Sequence, residues 1–236
     1  MESLCSFSVV LTGDGSPSLR GEGEPMHHLG GAYSETQYIY GEALRRLQQW
    51  PQLLEWKVLV VGLGLGYIEL LATAEALKNN KTLKLLSYEI RQDLVETFLD
   101  WLKGELVEKT YDCLYNFYQK DYPDLNLKSA LYEAYKQGRW EIRGALNVES
   151  LPDENYQALL FDAFSSKSTP DLWTEEFLQL FLKQTVSEQA LFSTYACTGL
   201  LRRTLQGAGF AVEKRIGFLG KRNATIATFD KAILAK

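Results

Sequence analysis

VLVVGLGLGYIEL, residues 58–70, passes from an unbroken apolar run through three alternate glycines into a stretch of helical character. An apolar run rich in Val and Leu, as in WKVLVVGLG, reads as a strand buried on both faces of a parallel sheet. Gly62, Gly64 and Gly66 fall where that strand turns into a helix over about residues 67–78. Glycine there lets the backbone turn tightly and approach a ligand that faces the helix N-terminus. A lone GxGxG is weak, because many tight turns use glycine. Its context strengthens it: the next strand, TLKLLSYEI, ends at Glu89, a carboxylate placed to accept both hydroxyls of a ribose.

Outward from this unit, strands and helices keep alternating. A helix runs to about residue 103, RWEIRGAL reads as a third strand and QALLFDAF as a fourth, DLWTEEFLQLFLKQ as a helix and ALFSTYA as a fifth strand. TGLLRRTLQGAG then reads as a helix, and FAVEKRIG and NATIATF as two closing strands. This alternation predicts an α/β fold with a doubly wound sheet. Toward the N-terminus, FSVVLTGDGSPSLRG reads as two short strands about an Asp-Gly turn. MHHLGGAYSE leads from there into a helix around TQYIYGEALRRLQQW, which Pro51 closes. Residues 1–50 are therefore expected to form a hairpin-and-helix appendage, too short to hold a core alone, on a main domain of residues 51–236. Residues 104–137, Tyr- and Leu-rich at helical spacing and broken at Pro123, are expected to be a helical insertion overhanging the ligand crevice. Its aromatics (Tyr111, Tyr115, Phe117, Tyr118, Tyr122) read as helix packing rather than an RNA platform.

QALLFDAF stops abruptly at Asp162. Ligands of open α/β sheets sit outside the carboxyl ends of the strands, which places this carboxylate for chemistry; Asp also ends strands by capping a turn. The composition, 46% hydrophobic and 23% charged, is that of an ordinary globular chain. No apolar run approaches the roughly 20 residues that span a bilayer, and the N-terminus has too short an apolar core for a secretory signal. Cys5, Cys113 and Cys197 lie far apart without a CxxC pair, which argues against a zinc site or a disulfide framework. A cytoplasmic setting without a membrane partner follows as the expectation. The adjacent His27 and His28 point to opposite faces of an extended stretch, poor geometry for a metal; no metal is expected, and a structural role is favoured over a substrate-lining one.

The net charge of −5 speaks against indiscriminate nucleic-acid binding. Between residues 200 and 222, however, six basic residues (Arg202, Arg203, Lys214, Arg215, Lys221, Arg222) face the single acid Glu213. Such a strip is either a solvated face or a local phosphate-binding surface, with Arg215 and Arg222 as candidates for RNA contact.

The glycine spacing departs from the GxGxxG of pyrophosphate-binding loops. Together with the closing pair FAVEKRIG and NATIATF it resembles the S-adenosylmethionine-dependent methyltransferases. That implies a Rossmann-like, mostly parallel sheet with an antiparallel closing hairpin. The segments DGSPSLR, MHHLGGAYSETQYIY, FDAFSSKSTPDLWTEEF and STYACTGLLRRTLQGAGFAVEKRIGFLGKR resemble more specifically, and in order, the methyltransferase family of the bifunctional MnmC enzyme. The resemblance runs from about residue 14 to residue 222. It implies S-adenosylmethionine as cofactor and tRNA as partner. It also implies the reaction: methylation of a 5-aminomethyl(-2-thio)uridine at the wobble position to the 5-methylaminomethyl form. The FAD-dependent oxidase half has no counterpart here, so a stand-alone methyltransferase is expected, with a separate enzyme supplying the aminomethyl group.

Asp162, Phe164, Pro170, Trp173 and Thr174 match the family's strand-ending block. Asp162 makes chemical sense as the catalytic residue. A primary alkyl ammonium titrates near the lysine value of about 10.4 and has no lone pair, so a carboxylate that orients it and takes its proton would serve the transfer. The resemblance further implies that Phe164 and Trp173 offer faces to the uracil ring, and that Glu35 closes over the cofactor's amino-acid end. Departures fall in the same block: Ala163 stands for Gly, Ser165-Ser166 for a small residue plus Pro, and Thr169 for Asn. The basic tail ends in Asn223 instead of Glu. After the third strand, Arg143-Gly144-Ala145-Leu146-Asn147 lacks the Asp that many methyltransferases set against adenine, which leaves Asn147 or the backbone. Two other readings stay open. One is a small-amine methyltransferase or aminopropyltransferase, although the GGGxG loop and second acidic cluster usual in the latter are missing. The other is a non-catalytic cofactor- or RNA-binding protein.

Overall fold

The computed structural model describes residues 3–21, 25–220 and 223–234; Arg222, one of the expected RNA contacts, lies outside them. At the N-terminus β1 (Ser3–Leu4), β2 (Phe7–Leu11) and β3 (Pro17–Arg20) form a small antiparallel sheet. The β2–β3 turn holds Asp14 and Gly15, the latter at φ 85° where a side chain would be strained. Asp14 ties this sheet to the first helix. It accepts the backbone N–H and hydroxyl of Ser34 at 3.0 and 2.7 Å, and the backbone N–H of Ser16 at 2.9 Å. Partial burial pushes its carboxyl up, but these donors outweigh that and bring it down to about 2. Ser34 lies in α1 (Ala32–Thr36), which runs through a π-helical turn (Gln37–Gly41) into α2 (Glu42–Arg46).

The main sheet is built from β4 (Glu55–Val61), β5 (Thr82–Tyr88), β6 (Trp140–Arg143), β7 (Tyr156–Phe161), β8 (Val186–Thr194), β9 (Ala211–Ile216) and β10 (Asn223–Thr228). Their spatial order is β6-β5-β4-β7-β8-β10-β9. Neighbouring strands from β6 to β8 are parallel, while β10 runs antiparallel to both β8 and β9. The mostly parallel sheet with an antiparallel closing hairpin is the expected α/β class. Helices α3 (Tyr67–Lys78), α4 (Gln92–Lys103), α7 (Glu175–Thr185) and α8 (Gly199–Gly207) cover it, and α5 (Lys109–Asp121) and α6 (Leu127–Lys136) make up the insertion. None of these helices is long and apolar enough to cross a membrane.

Alternate strand residues feed two cores, one on each face. Trp56, Val58 and Val60 of β4 point to the side of α3, α4 and the insertion, whereas Leu59 and Val61 point to α7 and α8. Helix residues of the first fifty positions, including Ile39, Tyr40, Leu44 and Leu47, are buried in the first core, continuous with the sheet. The insertion buries Tyr111, Leu114 and Tyr118, spaced three and four apart on one face of α5. The Tyr118 hydroxyl donates to the Tyr67 carbonyl at 2.5 Å. The insertion therefore packs on α3 and α4 and does not overhang the crevice, because its apolar face is already committed to those helices; none of its described residues lines the large cavity at the sheet's carboxyl edge.

Candidate active site

Register brings the site together. Val61 pairs with both Tyr88 and Phe161, and Tyr88 pairs with Arg143. The residues next in the chain after these four, Gly62, Glu89, Gly144 and Asp162, consequently stand in one row along the carboxyl edge of the sheet. Strand order reverses between β4 and β7, the position where open α/β sheets form a crevice. A cavity of about 1650 Å³ opens there, lined by all four residues of the row.

The glycines are there for distinct reasons. Gly62, at φ 94°, lies against the Asp162 main chain; a Cβ would stand 2.7 Å from the Asp162 carbonyl oxygen. Gly66, at φ 77°, admits the Phe98 ring, whose nearest atom would be 2.2 Å from a Cβ. Gly64 alone faces open space, with nothing nearer to a Cβ than Met26 Sδ at 3.8 Å. Its N–H donates to Glu89 Oε2 at 2.9 Å, and the Arg91 N–H donates to Oε1 at 2.9 Å. The carboxylate plane is thus held by two backbone donors, and each oxygen keeps lone-pair capacity for one hydroxyl of a vicinal diol. Beside it, Gly144, Ala145, Leu146, Asn147 and Val148 form a further wall. Asn147 turns its side-chain oxygen to its own chain, accepting the N–H groups of Glu149 and Ser150, both at 2.9 Å.

Asp162 lines the cavity at the end of β7. Oδ1 accepts the Tyr40 hydroxyl at 2.5 Å. Burial raises its proton affinity well above that of an ordinary carboxyl; the Tyr40 hydrogen bond opposes this and the Glu35 and Glu69 carboxyls add to it. Glu35, in α1, also lines the cavity; its carboxyl is pushed up by burial and accepts the His28 backbone N–H at 2.7 Å. Both histidines line the cavity as well. His27 is driven down to about 4, and so kept neutral, by burial, with Nδ1 3.0 Å from Ser18 Oγ. His28 Nδ1 accepts the Gly30 N–H at 2.9 Å.

Glu69, in the first turn of α3, is fully buried with one oxygen accepting Ser87 Oγ at 2.7 Å. Burial pushes its carboxyl up to about 8. The folded chain then keeps a proton there that the unfolded chain releases above about 4.5. Stability should therefore fall as pH rises from about 4.5 to about 8, with Glu69 contributing up to about 1.4 kcal/mol per pH unit in that window. Glu69→Gln, which mimics the protonated form, is expected to flatten that slope in denaturant titrations. An unchanged slope would mean that Glu69 is ionised in the folded protein.

The remaining expected site residues are not all brought to the cavity. Phe164 lines it and is 47% exposed. Trp173 is buried beneath the loop, its indole N–H donating to the Phe164 carbonyl at 2.8 Å and its ring edge-on to Phe161. It shapes the loop that carries Phe164 and does not itself line the cavity. Arg215 turns inward: its guanidinium pairs with Glu42, lies over the Tyr38 ring at 4.5 Å, and its side chain is 9% exposed. Alternation along β9 leaves Lys214 outside and Arg215 inside, so this arginine joins the hairpin to α2 in place of presenting a free cation. Tyr40 and Tyr195 are the residues that sequence reasoning missed. The Tyr195 hydroxyl donates to the Ala163 carbonyl at 2.9 Å and steadies the chain next to Asp162. Tyr40 stood in plain view in TQYIYGEAL, but nothing in its spacing marks a π turn.

Residues 139–230 match the family described as S-adenosyl-L-methionine-dependent methyltransferase. Over 97% of its length the chain is 23% identical to the bifunctional tRNA 5-methylaminomethyl-2-thiouridine biosynthesis protein MnmC of Burkholderia multivorans, covering 36% of that protein. The corresponding protein of an Azoarcus species is 26% identical over 91% of the chain, which covers 34% of it. The chain thus spans about a third of the length of these curated relatives. Among solved structures, MnmC2 of Aquifex aeolicus shares the fold, with a TM-score of 0.68 and 22% identity over 98% of this chain and 75% of that one. The fold is that of the Rossmann-like methyltransferases, and the match over residues 139–230 makes S-adenosylmethionine the cofactor. Within that class the chain is similar, over nearly its whole length, to the methyltransferase part of MnmC proteins and shares the fold of MnmC2.

Proposed function

We propose that this domain transfers a methyl group to the primary amine of 5-aminomethyl(-2-thio)uridine at the wobble position of tRNA, giving the 5-methylaminomethyl form. The observation that carries the reading is the carboxyl-rich lining of the cavity. Five of its lining residues bear carboxyls (Glu35, Glu89, Asp162, Asp171, Glu176), against Lys167 as the one Lys or Arg among the described residues. Such a wall suits a cationic cofactor and an ammonium substrate and disfavours anionic acceptors. The open face of Gly64 and the held carboxylate of Glu89 fit the cofactor's ribose. We assign Gly62, Gly64, Gly66, Glu35, Glu89 and Asn147 to that cofactor, Asn147 through its place on the wall.

When bound, S-adenosylmethionine supplies the methyl group: the amine nitrogen forms the N–C bond as the C–S bond of the sulfonium breaks. Asp162 orients the substrate ammonium and takes one of its protons, freeing the lone pair. Burial makes Asp162 a stronger base than a solvated carboxylate. Phe164 offers its exposed face to the uracil ring, and Trp173 holds the loop beneath it. Phosphate contacts fall to the basic C-terminal segment, where Arg222 is assigned from sequence alone. The reaction belongs in the cytoplasm with tRNA, and a second active site supplies the aminomethyl group.

The inward pairing of Arg215 favours a second reading, a methyltransferase of small free amines. Labelled cofactor and tRNA from a strain lacking this methyltransferase activity separate the two. Label is expected in 5-methylaminomethyluridine after nucleoside digestion, with the free nucleoside a much poorer substrate. Equal methylation of the free nucleoside would replace the tRNA reading with the small-amine one, and no transfer to either would remove both.

A further inference from the structure

Asp162 has one oxygen engaged by Tyr40, and that phenol is delivered by an unusual piece of backbone. Tyr40 is 3% exposed and lies in the π-helical turn that joins α1 to α2. Single π turns interrupt the regular ladder of a helix and persist where other groups satisfy the displaced carbonyls. Three side chains do so here, one of them Arg215, whose Nη1 donates to the Tyr38 carbonyl at 3.3 Å. Ser193 Oγ in β8 donates to the Ile39 carbonyl at 2.8 Å, and Arg45 Nη2 donates to the Gln37 carbonyl at 3.0 Å. The extra residue of the turn shifts the side chains beyond it by about 100° around the helix. Tyr40 thereby reaches Asp162, while Tyr38 sends its hydroxyl to the Ile216 carbonyl at 2.8 Å.

We infer that Tyr40 is a positioning residue for methyl transfer: by donating to Oδ1 it fixes the plane of the Asp162 carboxyl and leaves Oδ2 as the atom that meets the substrate amine. The inference rests on the proposed role of Asp162. Burial keeps the Tyr40 phenol protonated far above its ordinary range, so toward Asp162 it acts as a donor. The titratable groups around Asp162 come from four elements: Tyr40 from the π turn, Glu35 from α1, Glu69 from α3, and Tyr195 just beyond β8. Burial and the two glutamates all favour a protonated, inert Asp162, and the Tyr40 hydrogen bond acts against them. Without it the carboxyl would hold its proton to higher pH and swing between orientations.

The test is Tyr40→Phe, which keeps the ring and removes the donor. The expected result is a fall in kcat of about 10–100-fold, with cofactor affinity by calorimetry unchanged. The acidic limb of the pH–rate profile should move upward by about one pH unit, the change expected from losing one hydrogen bond to a charged acceptor. Carbon-13 carboxyl NMR supplies a readout independent of turnover: the Asp162 resonance, assigned by its loss in Asp162→Asn, should titrate at higher pH in Tyr40→Phe. Ser193→Ala, which frees the π turn while keeping the phenol, should shift both readouts in the same direction by less. A Tyr40→Phe protein with unchanged pH profile and unchanged Asp162 titration overturns the role of Tyr40 while leaving Asp162 in place. Full activity in Asp162→Asn overturns the underlying reading and this inference with it.

Discussion

Replacing Asp162 by Asn is expected to lower methyl-transfer turnover by about 10²–10⁴-fold, the usual worth of a positioned general base, while cofactor affinity stays within a few-fold. Asn is nearly isosteric, and its side-chain oxygen can still accept the Tyr40 hydroxyl that now sits 2.5 Å from Oδ1. The main-chain packing of residue 162 against Gly62 does not involve the side chain. What is lost is the second oxygen as a proton acceptor, and with it the means of unmasking the amine lone pair. Wild-type activity should also decline on the acidic side, since a protonated Asp162 cannot take the ammonium proton, and in Asp162→Asn that limb should disappear from the residual rate. Single-turnover transfer of labelled methyl to tRNA across pH checks both. A folded Asp162→Asn protein with wild-type turnover would leave Asp162 a strand-ending turn residue.

Glu89→Ala is expected to raise the Kd for S-adenosylmethionine by about 100-fold or more, since two hydrogen bonds to a charged acceptor are lost at about 1.5–3 kcal/mol each. The substitution also frees the Gly64 and Arg91 N–H groups, which the carboxylate now holds at 2.9 Å each. The glycine loop then loses the group that fixes its orientation. Glu89→Gln, which retains one acceptor oxygen, should cost about 10-fold in affinity, the loss of a single such hydrogen bond. Calorimetric titration of both variants separates these cases. Affinity in Glu89→Ala equal to wild type would mean that the ribose lies elsewhere and that Glu89 serves only to hold the loop.

Much of this site is legible along the chain because its elements are local. The run from Val58 to Gly66 announces a buried strand and a tight turn through residue type alone, and Glu89 and Asp162 each end an apolar run whose carboxyl edge is set by strand direction. Parallel pairing then puts these ends in one row without further information. The closing hairpin likewise follows from two adjacent extended segments.

What could not be read is what depends on which way a side chain faces. Trp173 and Phe164 belong to one short block, yet Trp173 is buried and Phe164 stands in the cavity. Arg215 and Lys214 are neighbours in a basic strip, but only Arg215 meets Glu42, which lies 173 positions earlier in the chain. The aromatic face of α5 is evident from its spacing, but the choice of α3 and α4 as its partner, over the crevice, belongs to the packed core. Tyr40 is the clearest case. Its sequence neighbourhood is that of any amphipathic helix, and its role arises from a π turn clamped by Ser193, on a strand 154 positions away. Residue type and strand direction therefore determined the fold class, the glycine loop and the two carboxylates at the sheet edge, because these follow from local preferences and one pairing rule. Tertiary structure decided which groups meet Asp162, because hydrogen-bond partners distant in sequence are chosen by the packing of the whole domain.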